Sequence, residues 1–163
     1  MVKLAIIFNA DRLSGKLTKF FTGFPAYHCG WVDEATDTFY DMHAIRRKRY
    51  WSDYANKKKY VLIDFNEVIV EQLEHELKVC EQMYSPIDYI LFGLRPLFHF
   101  FGQSTRNAGG LICSEMVHID AAKAGVATPW RFNDAPPSPA DWFKWSLVSG
   151  RDMQFVGMKL TDV

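Results

Sequence analysis

The stretch AYHCGWVDEATDTFYDMHAI, residues 26–45, decides how the chain builds its sheet. Two apolar and aromatic runs, Ala26–Val32 and Thr38–Ile45, flank the polar segment DEATD. Runs of this length and composition, bounded by polar turn residues, are typical of β-strands. The segment between them lacks the glycine that short hairpin turns usually carry. The overall pattern nevertheless predicts an antiparallel β-hairpin.

Strands and helices are predicted on both sides of this hairpin from the spacing of apolar residues. The strands are expected at 3–9, 59–65 and 153–160, and the helices at 14–23, 67–83, 85–94 and 113–125. The proline-rich, aromatic segment 128–145 is expected to run over the surface as a connection. No repeat or interdomain linker is evident. We therefore predict one α+β domain over residues 1–163, with a largely antiparallel sheet.

Composition and charge argue against a disordered chain and against a protein whose net charge attracts polyanions. The chain has 163 residues, of which 48% are hydrophobic and 15% aromatic, so it is expected to fold around a sizeable core. Nineteen basic and nineteen acidic side chains give a formal net charge of zero. This balance gives no global reason to expect nucleic acid or an anionic membrane as a partner.

Apolar segments and cysteines indicate the compartment. The apolar run near the N-terminus is too short for a signal peptide, and the longest apolar segment, 87–102, is interrupted by arginine, proline and histidine. Cys29, Cys80 and Cys113 form no CxxC pair, so neither a disulfide framework nor a metal site is expected. The sequence thus predicts a cytoplasmic protein without a transmembrane segment, and a phage-encoded origin fits equally well.

A candidate nucleophile lies in GGLICSEMVHIDAAKAG, residues 109–125. A glycine loop and a short apolar run lead into a helix, and Cys113 falls in its first turn. The partial positive charge of a helix N-terminus favours the thiolate form of a cysteine. Buried cysteines are also common as small core residues. This stretch alone leaves both interpretations open.

A nucleophilic cysteine needs a general base, and five histidines are available. His75 lies on a charged helix face, His99 lies among phenylalanines, and His118 is placed elsewhere around the axis of the cysteine helix. The remaining two, His28 and His43, each fall within a strand of the predicted hairpin. They are the candidates for the base and its neighbour.

Strand alternation sorts the hairpin residues into two faces. His28 and Gly30 share one face of the first strand, while Cys29 faces the opposite way. Asp41 and His43 share one face of the second strand, so one of them is expected to lie beside His28. Gly30 would leave room on that face. Alternatively, both histidines are ordinary strand residues bonded to the backbone.

Several segments, taken in order along the chain, resemble one enzyme family. They are LSGKLTKFFTGFPAYHCGWV (13–32), FYDMHA (39–44), YSPIDYILFG (84–93), LICSEMV (111–117) and GVATPWRFNDAPPSPADW (125–142). Together they resemble the circularly permuted papain-like hydrolases, in the YiiX-like branch of the NlpC-type superfamily. The likeness runs from about residue 14 to residue 142.

The resemblance implies a papain-like domain whose antiparallel sheet packs against helices. It implies that Cys113, at a helix N-terminus, is the nucleophile and that His28, earlier in the chain, is the general base. A polar residue on the next strand would orient the base. His43 matches that position best in the family pattern, whereas Asp41 is the alternative that electrostatics favours, because a carboxylate stabilises an imidazolium more strongly.

The implied activity is that of a cysteine peptidase or amidase. Such an enzyme cleaves an amide (in many family members a peptidoglycan peptide), an ester or a thioester through an acyl-enzyme intermediate, without a metal or organic cofactor. One alternative is a lipid or protein acyltransferase using the same residues, as in the related lecithin retinol acyltransferase group. A second is a catalytically silent binding domain that uses the basic loop 46–59, although that loop is expected simply to face water.

Overall fold

The computed structural model describes residues 1–8, 24–43, 45–79, 112–130 and 137–162. The strands in these ranges are β1 (Val2–Phe8), β2 (Ala26–Asp33), β3 (Thr38–Met42), β4 (Arg46–Tyr50), β5 (Lys59–Asp64) and β6 (Met153–Val156). The helices are α1 (Trp51–Ala55), α2 (Val70–Val79), α3 (Cys113–Lys123) and α4 (Pro139–Val148), followed by a 3₁₀ turn at Leu160–Asp162. The predicted α+β class is confirmed. The helices predicted at 14–23 and 85–94 lie outside the described residues.

The six described strands form one antiparallel sheet in the order β4-β3-β2-β1-β5-β6. The predicted hairpin is its β2–β3 pair, with Trp31 opposite Tyr40. In the turn, the carboxylate of Asp33 accepts hydrogen bonds from a backbone N–H and from a threonine hydroxyl. Asp37 adopts a left-handed backbone with φ of 51°, a conformation that Asp tolerates better than most residues. These two aspartates replace the missing glycine.

Alternation along the strands builds a hydrophobic cluster on each face of the sheet. On the first face, which we call the helix face, strand residues such as Ile6 and Trp31 pack with Met116 of α3 and Trp142 of α4. On the opposite face, Ile7 and its neighbours pack with α1. The sheet is thus covered on both sides, and its second strand is buried from Cys29 to Asp33.

A buried carboxylate ties α3 to the sheet. The side chain of Asp120 accepts a hydrogen bond from Trp31 Nε1 at 2.9 Å and one from Arg46 Nη2 at 2.7 Å. The Asp120 side chain is fully buried and that of Arg46 nearly so. Burial raises the pKa of Asp120 to about 6, although Arg46 and Trp31 oppose the shift. Gln72 of α2 adds a bond to the Asp120 carbonyl. Asp120 therefore joins α3 to β2, β4 and α2.

Segment 128–145 differs from the prediction of a surface connection, because its last part forms α4. The hydroxyl of Ser138 accepts a bond from the Asp141 N–H at 3.0 Å, and the Asp141 carboxylate accepts one from the Ser138 N–H at 2.8 Å. Pro139 follows this capping box in the first turn, where its missing N–H costs nothing. Trp142 is buried in the core. The capping signal is present in the sequence, but the neighbouring prolines favoured the prediction of a connecting segment.

The basic segment 46–59 is not a loop either. It forms β4, α1 and the start of β5, and Arg46 within it is buried. Its side chains alternate across β4, so Arg46 and Lys48 face α3 and α2, while Arg47 and Arg49 face the other way. The expectation of a solvated loop was therefore wrong, because strand pairing with β3 places half of these cations on each face of the sheet.

Asp120→Asn is expected to destabilise the fold by roughly 3–5 kcal/mol, because it leaves Arg46 buried without its counter-charge. The free energy of unfolding in urea measures this effect. The double variant Arg46→Met with Asp120→Asn removes the unpaired charge and should recover much of the loss. A single variant as stable as the wild type would show that this pair does not anchor α3.

Candidate active site

The site is centred on His28 of β2 and Asp41 of β3. The Nε2 atom of His28 lies 3.1 Å from Oδ2 of Asp41, whose side chain is fully buried. The rings of Phe39 and Tyr54 stand edge-on to the imidazole, each with its centroid 6.1 Å away. The carboxylate and the two rings together hold the imidazole in one orientation.

Cys113 reaches this imidazole from the start of α3. It is the first residue of the helix and half-buried, and its side chain lies close enough to His28 for each group to shift the pKa of the other. Because Asp41 engages Nε2, Nδ1 is the ring nitrogen left to exchange a proton with the thiol. The structure therefore brings together the sequence-predicted Cys113 and His28, with Asp41 on the far side of the ring.

The electrostatics of the pair favour separated charges. Burial by itself lowers the pKa of His28, but the charge of the Cys113 thiolate and the hydrogen bonds with Asp41 and Cys113 outweigh burial and raise that pKa to about 9. The pKa of Cys113 is held well below its ordinary value by a hydrogen bond from Cys29 and by the charge of His28, against the effect of burial. Both shifts therefore favour a thiolate paired with an imidazolium.

The expectation that His43 lies beside His28 was wrong. Strand β3 ends at Met42, so His43 lies just beyond the strand. His43 is exposed, and its backbone N–H donates a hydrogen bond to the Ile45 carbonyl. Asp41, two residues earlier and still within the strand, occupies the position instead. The strand is shorter than its sequence pattern suggested. Asp41 is therefore the last residue of β3 whose side chain points to the His28 face of the sheet.

Two arginines of β4, which the sequence did not link to the site, also bind Asp41. Arg47 Nε donates to its Oδ1 at 3.0 Å, and Arg49 Nη2 donates to its Oδ2. The guanidinium of Arg49 lies 3.6 Å from the centre of the Tyr54 ring. Burial raises the pKa of Asp41, yet the bond and charge of His28, with those of the arginines, outweigh it and lower the pKa to about 2. Asp41 is thus held ionised.

Gly30 allows this approach between β2 and β3. A Cβ atom at this position would lie 2.5 Å from the Tyr40 carbonyl oxygen and 2.8 Å from the Phe39 ring. The room that the sequence predicted above Gly30 is therefore filled by β3 itself. Since Phe39 and Tyr40 directly precede Asp41, this close packing helps to set the distance between Asp41 and His28.

Comparisons with known proteins add no family. No protein-family model matches the chain, and no curated protein matches it either. Among the described residues, no group of three or more histidine, cysteine, aspartate or glutamate side chains is arranged to hold a metal ion. None of the helices in the described ranges is long and apolar enough to cross a membrane. The function is therefore inferred from the geometry of the site.

The role of Asp41 is testable against that of His43. Asp41→Asn removes the negative charge beside His28, so the pKa of His28 should fall and alkylation of Cys113 by iodoacetamide at pH 6 should slow by about tenfold or more, because the thiolate loses its imidazolium partner. His43→Asn is the matched control and should leave the rate unchanged. Peptide mass mapping at Cys113 gives both rates. A slow His43 variant beside a normal Asp41 variant would reverse the assignment.

The thiolate is testable by the pH dependence of the same reaction. The alkylation rate of Cys113 should stay near its plateau well below pH 8.5, the region where an ordinary thiol loses its reactivity. In His28→Gln the imidazolium is absent, so the midpoint should move upward toward the ordinary value. An unperturbed midpoint in the wild-type protein would contradict the ion pair.

Proposed function

We propose that the protein is a cysteine hydrolase that opens an amide, ester or thioester bond through an acyl-enzyme intermediate. One observation carries this proposal: Cys113, at the start of α3, is electrostatically paired with His28, which bonds to the buried carboxylate of Asp41. A nucleophile, a base and an orienting group in this order are what covalent acyl transfer requires.

The ion pair supplies both the attacking atom and the proton for the first step. The Cys113 thiolate attacks the carbonyl carbon, and the resulting tetrahedral intermediate collapses as the His28 imidazolium donates its Nδ1 proton to the leaving group. The acyl group is then a thioester of Cys113. Asp41 stabilises the imidazolium before this step and orients the neutral ring after it.

Water completes the cycle. Neutral His28 takes a proton from a water molecule, which attacks the thioester carbonyl and releases the acid product, so that the thiolate and the imidazolium re-form. The backbone N–H of Cys113 belongs to the first turn of α3, where such groups have no partner within the helix. We assign it as one donor to the oxyanion of both tetrahedral intermediates.

The arrangement also supports the resemblance to permuted papain-like hydrolases of the YiiX-like branch. The nucleophile helix packs on an antiparallel sheet, and the base lies on a strand that precedes the nucleophile in the chain. On this basis a peptide, in particular one from peptidoglycan, is the first substrate class to test. Cys29 and Cys113 are both free cysteines, and we propose on this basis that the protein acts in a reducing compartment such as the cytoplasm.

Turnover of a model thioester and of short peptidoglycan peptides tests the proposal. Cys113→Ala should abolish turnover, and His28→Ala should cost nearly as much, because the two residues act as a unit. Turnover should also fall as pH rises through about 9, where His28 loses the proton that it donates. Intact-mass measurement during turnover should show the acyl group on the wild-type chain, mapped to Cys113.

Cys80→Ala is the control, because Cys80 is the third cysteine of the chain and has no role in the proposed mechanism. It should retain both turnover and the acylated species. Full activity in Cys113→Ala would overturn the mechanism, whereas full activity in His28→Ala would leave a nucleophile with a different base.

A further inference from the structure

A second cysteine lies against the nucleophile. Cys29 belongs to β2 and is fully buried in the cluster on the helix face of the sheet, against which Cys113 also packs. The thiol and the backbone N–H of Cys29 lower the pKa of Cys113, and the thiol of Cys29 is the largest cause of that shift. The two cysteines are therefore neighbours where α3 packs on β2, although Cys29 points away from the His28 face of the hairpin.

The two thiols differ in access and in charge. Cys113 is half-buried and opens onto the site, whereas Cys29 is 0% exposed. Burial raises the pKa of Cys29 well above its ordinary value, so this thiol stays protonated beside the Cys113 thiolate. Oxidants react with accessible thiolates and not with buried thiols. A soluble oxidant therefore meets Cys113 first and can reach Cys29 only through Cys113.

We propose that Cys29 is a resolving cysteine, which forms a reversible disulfide with Cys113 after a peroxide has oxidised Cys113. The chemistry rests on the packing of both cysteines at the same cluster, while its consequence, loss of hydrolysis, rests on the proposed function. The disulfide removes the thiolate that attacks the substrate, and it prevents the oxidation of Cys113 beyond the sulfenic acid. Added thiols can reduce this disulfide.

The first step is attack of the Cys113 thiolate on one oxygen of hydrogen peroxide. An S–O bond forms, the O–O bond breaks, and the departing hydroxide takes the proton of the His28 imidazolium and leaves as water. In the second step the sulfur of Cys29 attacks the sulfur of Cys113. An S–S bond forms, the S–O bond breaks, and the hydroxide leaves with the Cys29 proton as water. The cysteines lose two electrons and the peroxide gains them.

The anchoring of α3 holds the two cysteines near each other. Trp31, two residues after Cys29, bonds to Asp120, which lies about two helical turns after Cys113. The backbones that carry the two cysteines are thus held together by a buried bond. A disulfide requires the two sulfurs to close to about 2.05 Å, and a fixed packing of α3 on β2 keeps the two side chains near each other.

Peroxide treatment of the reduced, full-length protein tests the proposal. We expect hydrolysis to be lost and then restored by dithiothreitol, and a Cys29–Cys113 linked peptide to appear in a non-reducing mass map. In Cys29→Ala and Cys29→Ser the linked peptide should be absent, and Cys113 should proceed to sulfinic acid, so that dithiothreitol restores less than about a tenth of each variant's own reduced activity. Cys80→Ala should still form the linked peptide.

The outcomes separate this proposal from the proposed function. A Cys29–Cys113 link in a protein without any hydrolytic turnover would contradict the proposed hydrolase function and support the resolving role of Cys29. Hydrolytic turnover, with sulfinic acid at wild-type Cys113 and no link, would contradict the resolving role and support the hydrolase function. The wild-type peptide map decides even where the Cys29 variants do not fold: a link between Cys113 and Cys80, or a Cys113 inert to peroxide, also overturns the resolving role of Cys29.

Discussion

The rest of the described structure depends on the buried bond between Asp120 and its two donors on the sheet. Removing two charges from water costs several kcal/mol per ion, so this pair is favourable only when α3 sits where Arg46 and Trp31 can both reach the carboxylate. Asp120 and Cys113 occupy i and i+7 positions and hence the same side of α3. The bond that anchors the helix therefore also directs its first residue toward β2, where the base and the second cysteine lie.

A second buried carboxylate organises the opposite face of the sheet. Asp41 receives His28 from one neighbouring strand and Arg47 and Arg49 from the other, so three adjacent strands converge on one side chain. The arginines hold Asp41 ionised, and the ionised Asp41 in turn favours the imidazolium of His28. Positive charge that looked like a solvated surface in the sequence is thus part of the electrostatics of the site.

The environment of Cys113 accounts for both proposals. Hydrogen bonds from Cys29 and the charge of His28 stabilise the thiolate, which is the form that attacks carbonyl groups and the form that peroxides oxidise. A nucleophile made reactive in this way is exposed to oxidative damage. The buried thiol beside it provides a route by which that damage stops at a disulfide.

By itself the sequence determined the α+β class and the hairpin, and it gave Cys113, His28 and His43 as candidate residues, because alternation, helical spacing and helix start signals are local properties. The resemblance to permuted papain-like hydrolases then implied that His28 is the base. The sequence could not choose between Asp41 and His43, since that choice depends on where β3 ends. It also could not show that Arg47 and Arg49 bind Asp41 or that Cys113 packs against the cluster that contains Cys29. Those contacts join residues far apart in the chain, and only the packing of α3 and β4 around β2 and β3 decides which distant side chains meet.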